Sequence, residues 1–348
     1  MAETLEITQP DDWHLHLRDG DLLRRVLPAT AARFARAIVM PNLDPPVRTV
    51  EDARAYRERI LAALPEDAGF DPLMTLYLTP DTTPDEIARA KDAGFVHGVK
   101  LYPKGATTNA DAGVEGLAGL GPVLAAMERC GLPLLVHGET PAPDCDVFDR
   151  ERVFLEETLA PTIERHEGLR VVFEHITTAE AAAFVAAAPD RVAATITPQH
   201  LLLNRNALFE GGLRPDHYCL PVLKREADRR ALVAAATSGD PRFFLGTDSA
   251  PHLRHTKRAA CGCAGVYSAP VALELYAEAF SAAGAIERLE GFASCFGPDF
   301  YGLPRNTKKL RLTADPFVVP PSDGSGDDAL DCFFAGRTLR WRLAGTSA

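Results

Sequence analysis

The sequence has no run of 18 or more apolar residues, which excludes a membrane-spanning helix. Its opening, MAETLEITQP, lacks the basic segment and apolar segment of a secretory signal and carries Glu3 and Glu6 instead, so it does not read as one. The cysteines lack pairing: there are seven, an odd count, and none lie in a CxxC spacing. A disulfide framework and a zinc ribbon are therefore not expected, and a reducing cytoplasm is the expected compartment. Positive charge is in deficit. With 37 Lys+Arg against 48 Asp+Glu the net charge is −11, which argues against a nucleic-acid or anionic-membrane partner. No low-complexity segment is long enough to suggest disorder. What remains is an ordinary globular composition, 46% hydrophobic and 24% charged over 348 residues, enough for one large domain or two small ones.

Short apolar, β-branched runs alternate with amphipathic segments along the chain. The candidate strands are 12–17, 37–42, 73–79, 97–102, 133–138, 170–176, 192–197 and 242–248. Several are continuously hydrophobic, as strands buried on both faces of a parallel sheet are. Between them lie helix starts and stops. Thr49 caps a helix through about Leu64, before Pro65, and Thr83, Pro84 and Glu86 read as a capping box closed by Gly94. Asp149 opens a stripe of Val153, Phe154, Leu159 and Ile163 that ends at Gly168, and Thr178 opens an alanine-rich helix that ends at Pro189. Eight repeats of strand and helix predict an α/β fold, a (β/α)8 TIM-type barrel, with a doubly wound open sheet as the alternative. Residues 270–290 read as one more helix. The tail from Pro304, with Pro- and Gly-rich loops around 319–328 and the run CFFAGRTLRW, reads as an appendage. The expectation is a single domain, 1–303 forming the barrel and its loops and 304–348 packed on it.

Active sites of such barrels collect at the C-terminal strand ends, where the βα loops converge. The first strand ends in His14-Leu15-His16-Leu17-Arg18, and residues i and i+2 of a strand project to one side. That pair alone is an incidental motif as readily as a ligand pair. The fourth strand carries Lys100, the fifth ends with His137, the sixth with His175 and the eighth with Asp248. Lys100 and His137 are 37 residues apart and His137 and His175 are 38 apart, each about one βα unit, so these side chains are expected at equivalent heights. Asp248 follows after 73, about two units, leaving the seventh strand without a ligand.

An ammonium has no lone pair for a metal. A lysine depressed by burial beside cations can react with CO2 to a carbamate, an anionic ligand with two oxygens; a structural salt bridge to Asp or Glu is the other reading of Lys100. Arg18 offers a fork to a carboxylate, or else an exposed pair with Asp19 or Asp21. Asn42 beside Pro41 also reads as a turn residue. The loop 103–113 is rich in Gly, Thr and Asn, so few contacts are expected to hold it. His97, His166, His200, His217 and His255 read as surface or core residues. Cys261 and Cys263 in CGCAG are too closely spaced, with no partner, to bind zinc.

These strand-end residues resemble the amidohydrolase superfamily. The motifs DWHLHLRDG, MPNLDPPV, GVKLYPKGATTN, LLVHGE, FEHITT, ITPQHLLLNRN, YCLPVLKRE, GTDSAPH and CGCAG, spread from residue 12 to about 303, are similar to the shorter, bacterial-type class of the dihydroorotase family. The resemblance implies two zinc ions per subunit, bridged by a hydroxide and by N6-carboxylated Lys100. His14, His16, Asp248 and the carbamate would bind one ion; the carbamate, His137 and His175 the other. Asp248 would be ligand and general base together, in the reversible cyclisation of N-carbamoyl-L-aspartate to dihydroorotate. Arg18, Asn42 and His252 would bind the substrate carboxylate, and main-chain groups of Leu220 and Ala264 the ring edge. Thr107 and Thr108 would touch the substrate from a lid, and His137 would lie beside it. A cytoplasmic homodimer acting on a small molecule is also implied. A hydantoinase or allantoinase, or a catalytically inactive barrel serving as a scaffold, stand as alternatives; a mononuclear deaminase is disfavoured by Lys100.

Overall fold

Eight parallel strands, hydrogen-bonded in chain order, organise the computed structural model, which describes residues 3–66, 68–260 and 262–347. A first strand, β1 (Thr4–Thr8), precedes them. The eight are β2 (Asp12–Leu15), β3 (Arg36–Val39), β4 (Asp71–Tyr77), β5 (Val96–Leu101), β6 (Leu134–His137), β7 (Val171–Glu174), β8 (Val192–Ile196) and β9 (Phe243–Leu245). Each falls on one of the strands expected from the sequence. The seam between β9 and β2 is closed by main chain, Asp248 N donating to His14 O at 2.8 Å and His16 N to Ser249 O at 3.0 Å. The buried Asp12 carboxylate accepts from Thr247 N (2.9 Å) and from the Thr247 hydroxyl across the same seam. The sheet is thus a barrel and not an open, doubly wound one.

Inside it, Ile38, Leu73, Leu135, Val172, Ala193 and Phe244 pack around Trp13. The lower end is plugged by the helix Phe296–Tyr301, whose Tyr301 ring stacks on Trp13 with centroids 4.4 Å apart. The outer strand faces pack on the surrounding helices in a second, larger core. Filling the lower end with apolar side chains confines polar chemistry to the upper rim, where the βα loops begin.

The helix boundaries follow from capping, with three differences from expectation. At Val50–Ala63 the box is complete: Thr49 Oγ1 accepts from Asp52 N (3.1 Å) and the Asp52 carboxylate from Thr49 N (3.0 Å). At Pro84–Asp92 it is half-formed. Thr83 accepts from Glu86 N, but the Glu86 carboxylate turns to Val50 N at 2.7 Å, an orphan donor at the start of the neighbouring helix. The segment after Asp149 runs as Arg150–Phe154, a π-helical turn Leu155–Leu159 and Ala160–Arg165; the wide turn sits just ahead of Pro161, which has no N–H to give. The helix expected over 270–290 is Ala272–Ala282, ended by Gly284 at φ +68°.

The tail is made of strands: β10 (Lys309–Val318) and β13 (Thr338–Ser347) in one sheet, and β11 (Ser322–Asp323) and β12 (Leu330–Asp331) as a separate pair. β10 lies between β1 and β13, antiparallel to both, with Leu5 opposite Leu312 and Ala314 opposite Trp341. The buried Trp341 donates its main-chain N–H to Glu278 of the helix Ala272–Ala282 at 2.9 Å. Because the tail shares its sheet with the first strand and docks on a barrel helix, we propose that 304–348 is an appendage of a single domain. Among the described residues, no helix is long and apolar enough to cross a membrane.

Candidate metal centre and substrate pocket

Four imidazoles and a carboxylate meet at the upper rim. His14 Nε2 and His16 Nε2 lie 3.3 and 3.2 Å from Asp248 Oδ1, and the ligand atoms of these three residues all fall within 4.8 Å of one another. His175 stands beside His14, and His137 beside His175, each pair with ring centroids 4.9 Å apart. His137 is outside the tight donor clusters, its Nε2 engaged at 3.0 Å by the buried Glu139. Two of the inward turns are left-handed, His175 at φ +43° and Asp248 at φ +45°, conformations uncommon for non-glycine residues that mark places where a side chain is re-aimed at a strand end. Gly246 lets the last strand approach: a Cβ there would come within 2.7 Å of Thr195 and 3.2 Å of the His14 Cβ.

The charges suit cation binding. Burial lowers His16 to about 4 and, with Lys100 and His137 nearby, holds His175 well below the usual imidazole range, so both present neutral nitrogens. His175 Nδ1 is buried with no hydrogen-bond partner, as a nitrogen waiting for a Lewis acid would be. Burial pushes the Asp248 carboxyl up, but His14 and His16 more than offset this and hold it well below the carboxylate range.

Lys100 sits beneath, fully buried. In ladder register it pairs with Leu135, two residues before His137, so it starts one layer deeper and not at an equivalent height; its long side chain spans the difference. Burial pushes its pKa down, partly countered by Glu174, with which the unmodified amine forms an ion pair. Glu174 Oε2 also lies 3.0 Å from His14 Nδ1, and Glu174 completes a second donor cluster with His14 and His175. Sequence reasoning passed over Glu174; the signal was an acidic residue inside the apolar run VVFEHI.

The substrate side is cationic at one point. Arg18 is aimed by a left-handed turn (φ +59°), and not by strand alternation, with its carbonyl accepting from the Tyr56 hydroxyl. Its Nε donates to Pro251 O (3.1 Å) and its Nη2 lies 2.9 Å from His252 Nε2. Asp19 pairs with Arg59 and Asp21 with Arg24, so neither neutralises Arg18. Arg18, Asn42, Thr107, Thr108, Leu220 and Ala264 line one pocket of about 350 Å³ with His14, His16, His137, His175 and Asp248. His252 stands behind Arg18 and Lys100 below the floor. The loop 103–113 is tied down more firmly than its composition suggests: Asn42 Nδ2 donates to Thr108 O (3.2 Å), Asn109 Nδ2 to Asn42 O (3.0 Å) and Lys104 N to Val114 O (3.0 Å). Tyr102, which the sequence did not flag, also lines the pocket, its buried hydroxyl without a hydrogen-bond partner. His166 pairs with Glu128, and His200 bonds to Thr197 and to Pro221 O; Cys261 lies outside the described residues.

Known proteins share this architecture along its whole length. Residues 11–311 match the amidohydrolase family. The chain is 62% identical over 344 residues to a dihydroorotase of Nitrosococcus oceani, covering 99% of this chain and 100% of that one. Among solved structures, a dihydroorotase from Campylobacter jejuni superposes with a TM-score of 0.90 at 36% identity, covering 99% of this chain and 98% of the other. The Saccharomyces cerevisiae dihydroorotase in complex with 5-fluoroorotic acid gives 0.92 at 33% identity, covering 99% of each. Barrel, rim and full-length identity agree, and the chain belongs to the dihydroorotases of the amidohydrolase family.

Proposed function

We propose that this chain catalyses the reversible cyclisation of N-carbamoyl-L-aspartate to (S)-dihydroorotate and water in de novo pyrimidine (UMP) biosynthesis, as a zinc-dependent cyclic amidase. One observation carries the reading: a cluster of imidazoles and a carboxylate shares a single pocket with a guanidinium that no carboxylate neutralises among the described residues. The first set suits divalent cations, and the second the carboxylate of the substrate.

The donor set fits two zinc ions. His14, His16 and Asp248 would hold one and His137 and His175 the other, with Lys100 between them. For Lys100 to serve, its amine lone pair must form a bond to CO2 and the nitrogen lose a proton, giving N6-carboxylysine with one negative charge shared by two oxygens. When bound, the ion pair supplies a hydroxide at neutral pH and polarises the ring amide carbonyl.

The chain's own residues do the rest. The Arg18 fork binds the substrate carboxylate, flanked by Asn42 and His252. Main-chain groups of Leu220 and Ala264 meet the ring edge and His137 stands beside the reacting carbonyl. Thr107 and Thr108 touch the substrate and exclude water. An Asp248 carboxylate oxygen takes the proton of the attacking hydroxide and passes it to the departing ring nitrogen, the reverse running in synthesis. A carboxyl held this low suits a proton carried briefly between adjacent partners. A small-molecule substrate, no nucleic acid or membrane, and a cytoplasmic homodimer complete the proposal.

The test is ring opening of dihydroorotate followed by ultraviolet absorbance, with and without chelator, beside hydantoin and allantoin. Turnover of dihydroorotate that chelator abolishes and zinc restores is expected. Preference for hydantoin or allantoin would move the chain to another cyclic amidase, and no turnover with substoichiometric zinc would make it a scaffold.

A further inference from the structure

We propose that Lys257 is a positioning residue for the substrate ring, its ammonium pinning together the two backbone segments that face the ring edge. The inference rests on the cyclic-amidase reading above. Lys257 ends the short helix Arg254–Lys257 and is only 6% exposed, although lysines are almost never so buried unless paired with an acid. Its partners are three carbonyls: Nζ donates to Tyr218 O at 3.0 Å, Cys263 O at 2.9 Å and Gly265 O at 2.7 Å. An ammonium has three donors, and all three are used.

Those carbonyls come from two loops. Tyr218 lies two residues before Leu220, while Cys263 and Gly265 flank Ala264, and Leu220, Ala264 and Gly265 all line the pocket. A main-chain bond from Gly265 N to Tyr218 O (2.9 Å) closes the same junction. The approach is tight: Gly265 has φ +141°, and a Cβ there would come within 2.7 Å of the Ala250 Cβ and carbonyl. Ala264 O in turn lies 3.0 Å from His252 Nε2, which touches Arg18. One ammonium therefore sets the spacing of both ring-edge segments and, through His252, is linked to the guanidinium meant for the carboxylate. Burial pushes the Lys257 pKa down to about 8, a penalty that a Leu or Met filling the same space would not carry.

The experiment compares K257M and K257Q with the wild-type zinc enzyme, measuring KM and kcat for dihydroorotate, zinc per chain and the thermal midpoint. Met keeps the apolar stem and removes every donor; Gln restores two. For K257M, KM is expected to rise about tenfold or more, as for a charge-assisted hydrogen bond lost from binding. Over the same change kcat should stay within about threefold, the pattern of lost ground-state binding, with zinc content unchanged and K257Q intermediate. Unchanged KM in folded, zinc-loaded K257M overturns the proposal, as does a parallel fall of kcat, zinc content and thermal midpoint. If K257M does not fold, K257Q decides: raised KM at full zinc supports the proposal, and wild-type KM overturns it. A wild-type enzyme that does not open dihydroorotate at all would instead defeat the activity reading.

Discussion

Lys100 carries the heaviest chemical demand in the molecule, because an amine enclosed at the floor of a histidine cluster can serve a metal pair only after its charge is inverted. Unmodified, it meets Glu174; carboxylated, it brings a second anion next to that same buried carboxylate. Two anions so placed need cations between them, so carboxylation and metal loading are expected to appear together. Intact-protein mass spectrometry should find the added CO2 in zinc-loaded protein and not after chelation. Lys100→Ala is expected to retain at most one zinc per chain and to lose kcat by about 100-fold or more, the scale of removing one electrostatic element of transition-state stabilisation. Metal analysis and steady-state rates check this, and full zinc with unchanged rates would sink the bridge. The meeting of His14, His16, His175 and Asp248 was legible from their places at strand ends, although left-handed turns at His175 and Asp248 do the final aiming. Glu174 was not: alternation puts it opposite His175, but β7 stops at Glu174 and the left-handed turn at His175 brings both inward.

At the scale of elements, what was legible is what local chemistry decides. The eight strands follow from continuous apolar runs, and the starts at Thr49, Thr83 and Thr178 from hydroxyls that accept an N–H three residues on. What depends on distant neighbours was not legible. Glu86 abandons its own box for Val50 of another helix, and β1 finds its partner β10 some 300 residues away. Glu128 is a further such tie, joining the helix Gly121–Cys130 to the turn before β7. Its carboxylate accepts from Gly168 N at 2.9 Å and lies 2.9 Å from His166 Nδ1. Burial raises the Glu128 carboxyl, but His166 and Gly168 outweigh it and hold the group below its ordinary 4.5. A carboxyl depressed in the folded state contributes stability above its unfolded pKa and loses it as pH falls through the folded value. Glu128→Gln is therefore expected to destabilise the protein by about 1–2 kcal/mol near neutrality. The gap from wild type should shrink once the pH falls below 4.5. Urea unfolding of both proteins at neutral and acid pH checks it; a gap constant with pH would mean that packing, and not charge, is what Gln disturbs.

The whole molecule sets a different condition, because a protein of net charge −11 must admit an anion. Two fields act on the incoming carboxylate. The surface excess of acidic groups repels it over a range that is about 30 Å at 0.01 M salt and about 8 Å at 0.15 M. Arg18 attracts it only near contact, from a recess walled by Pro251 and His252, where salt screens little. Raising ionic strength therefore removes more repulsion than attraction. For dihydroorotate, kcat/KM is expected to rise between those two salt concentrations, by about two- to threefold, since steering effects on encounter are modest when the net charge is spread over a large surface. The rise should appear in kcat/KM and vanish at saturating substrate, where encounter no longer limits. Arg18→Met should keep the salt dependence while raising KM, because it deletes the near contact and leaves the surface field intact. Initial rates across a salt series at fixed pH measure both, and a fall of kcat/KM with salt in the wild type would show that a positive field at the rim governs approach and outweighs the net charge.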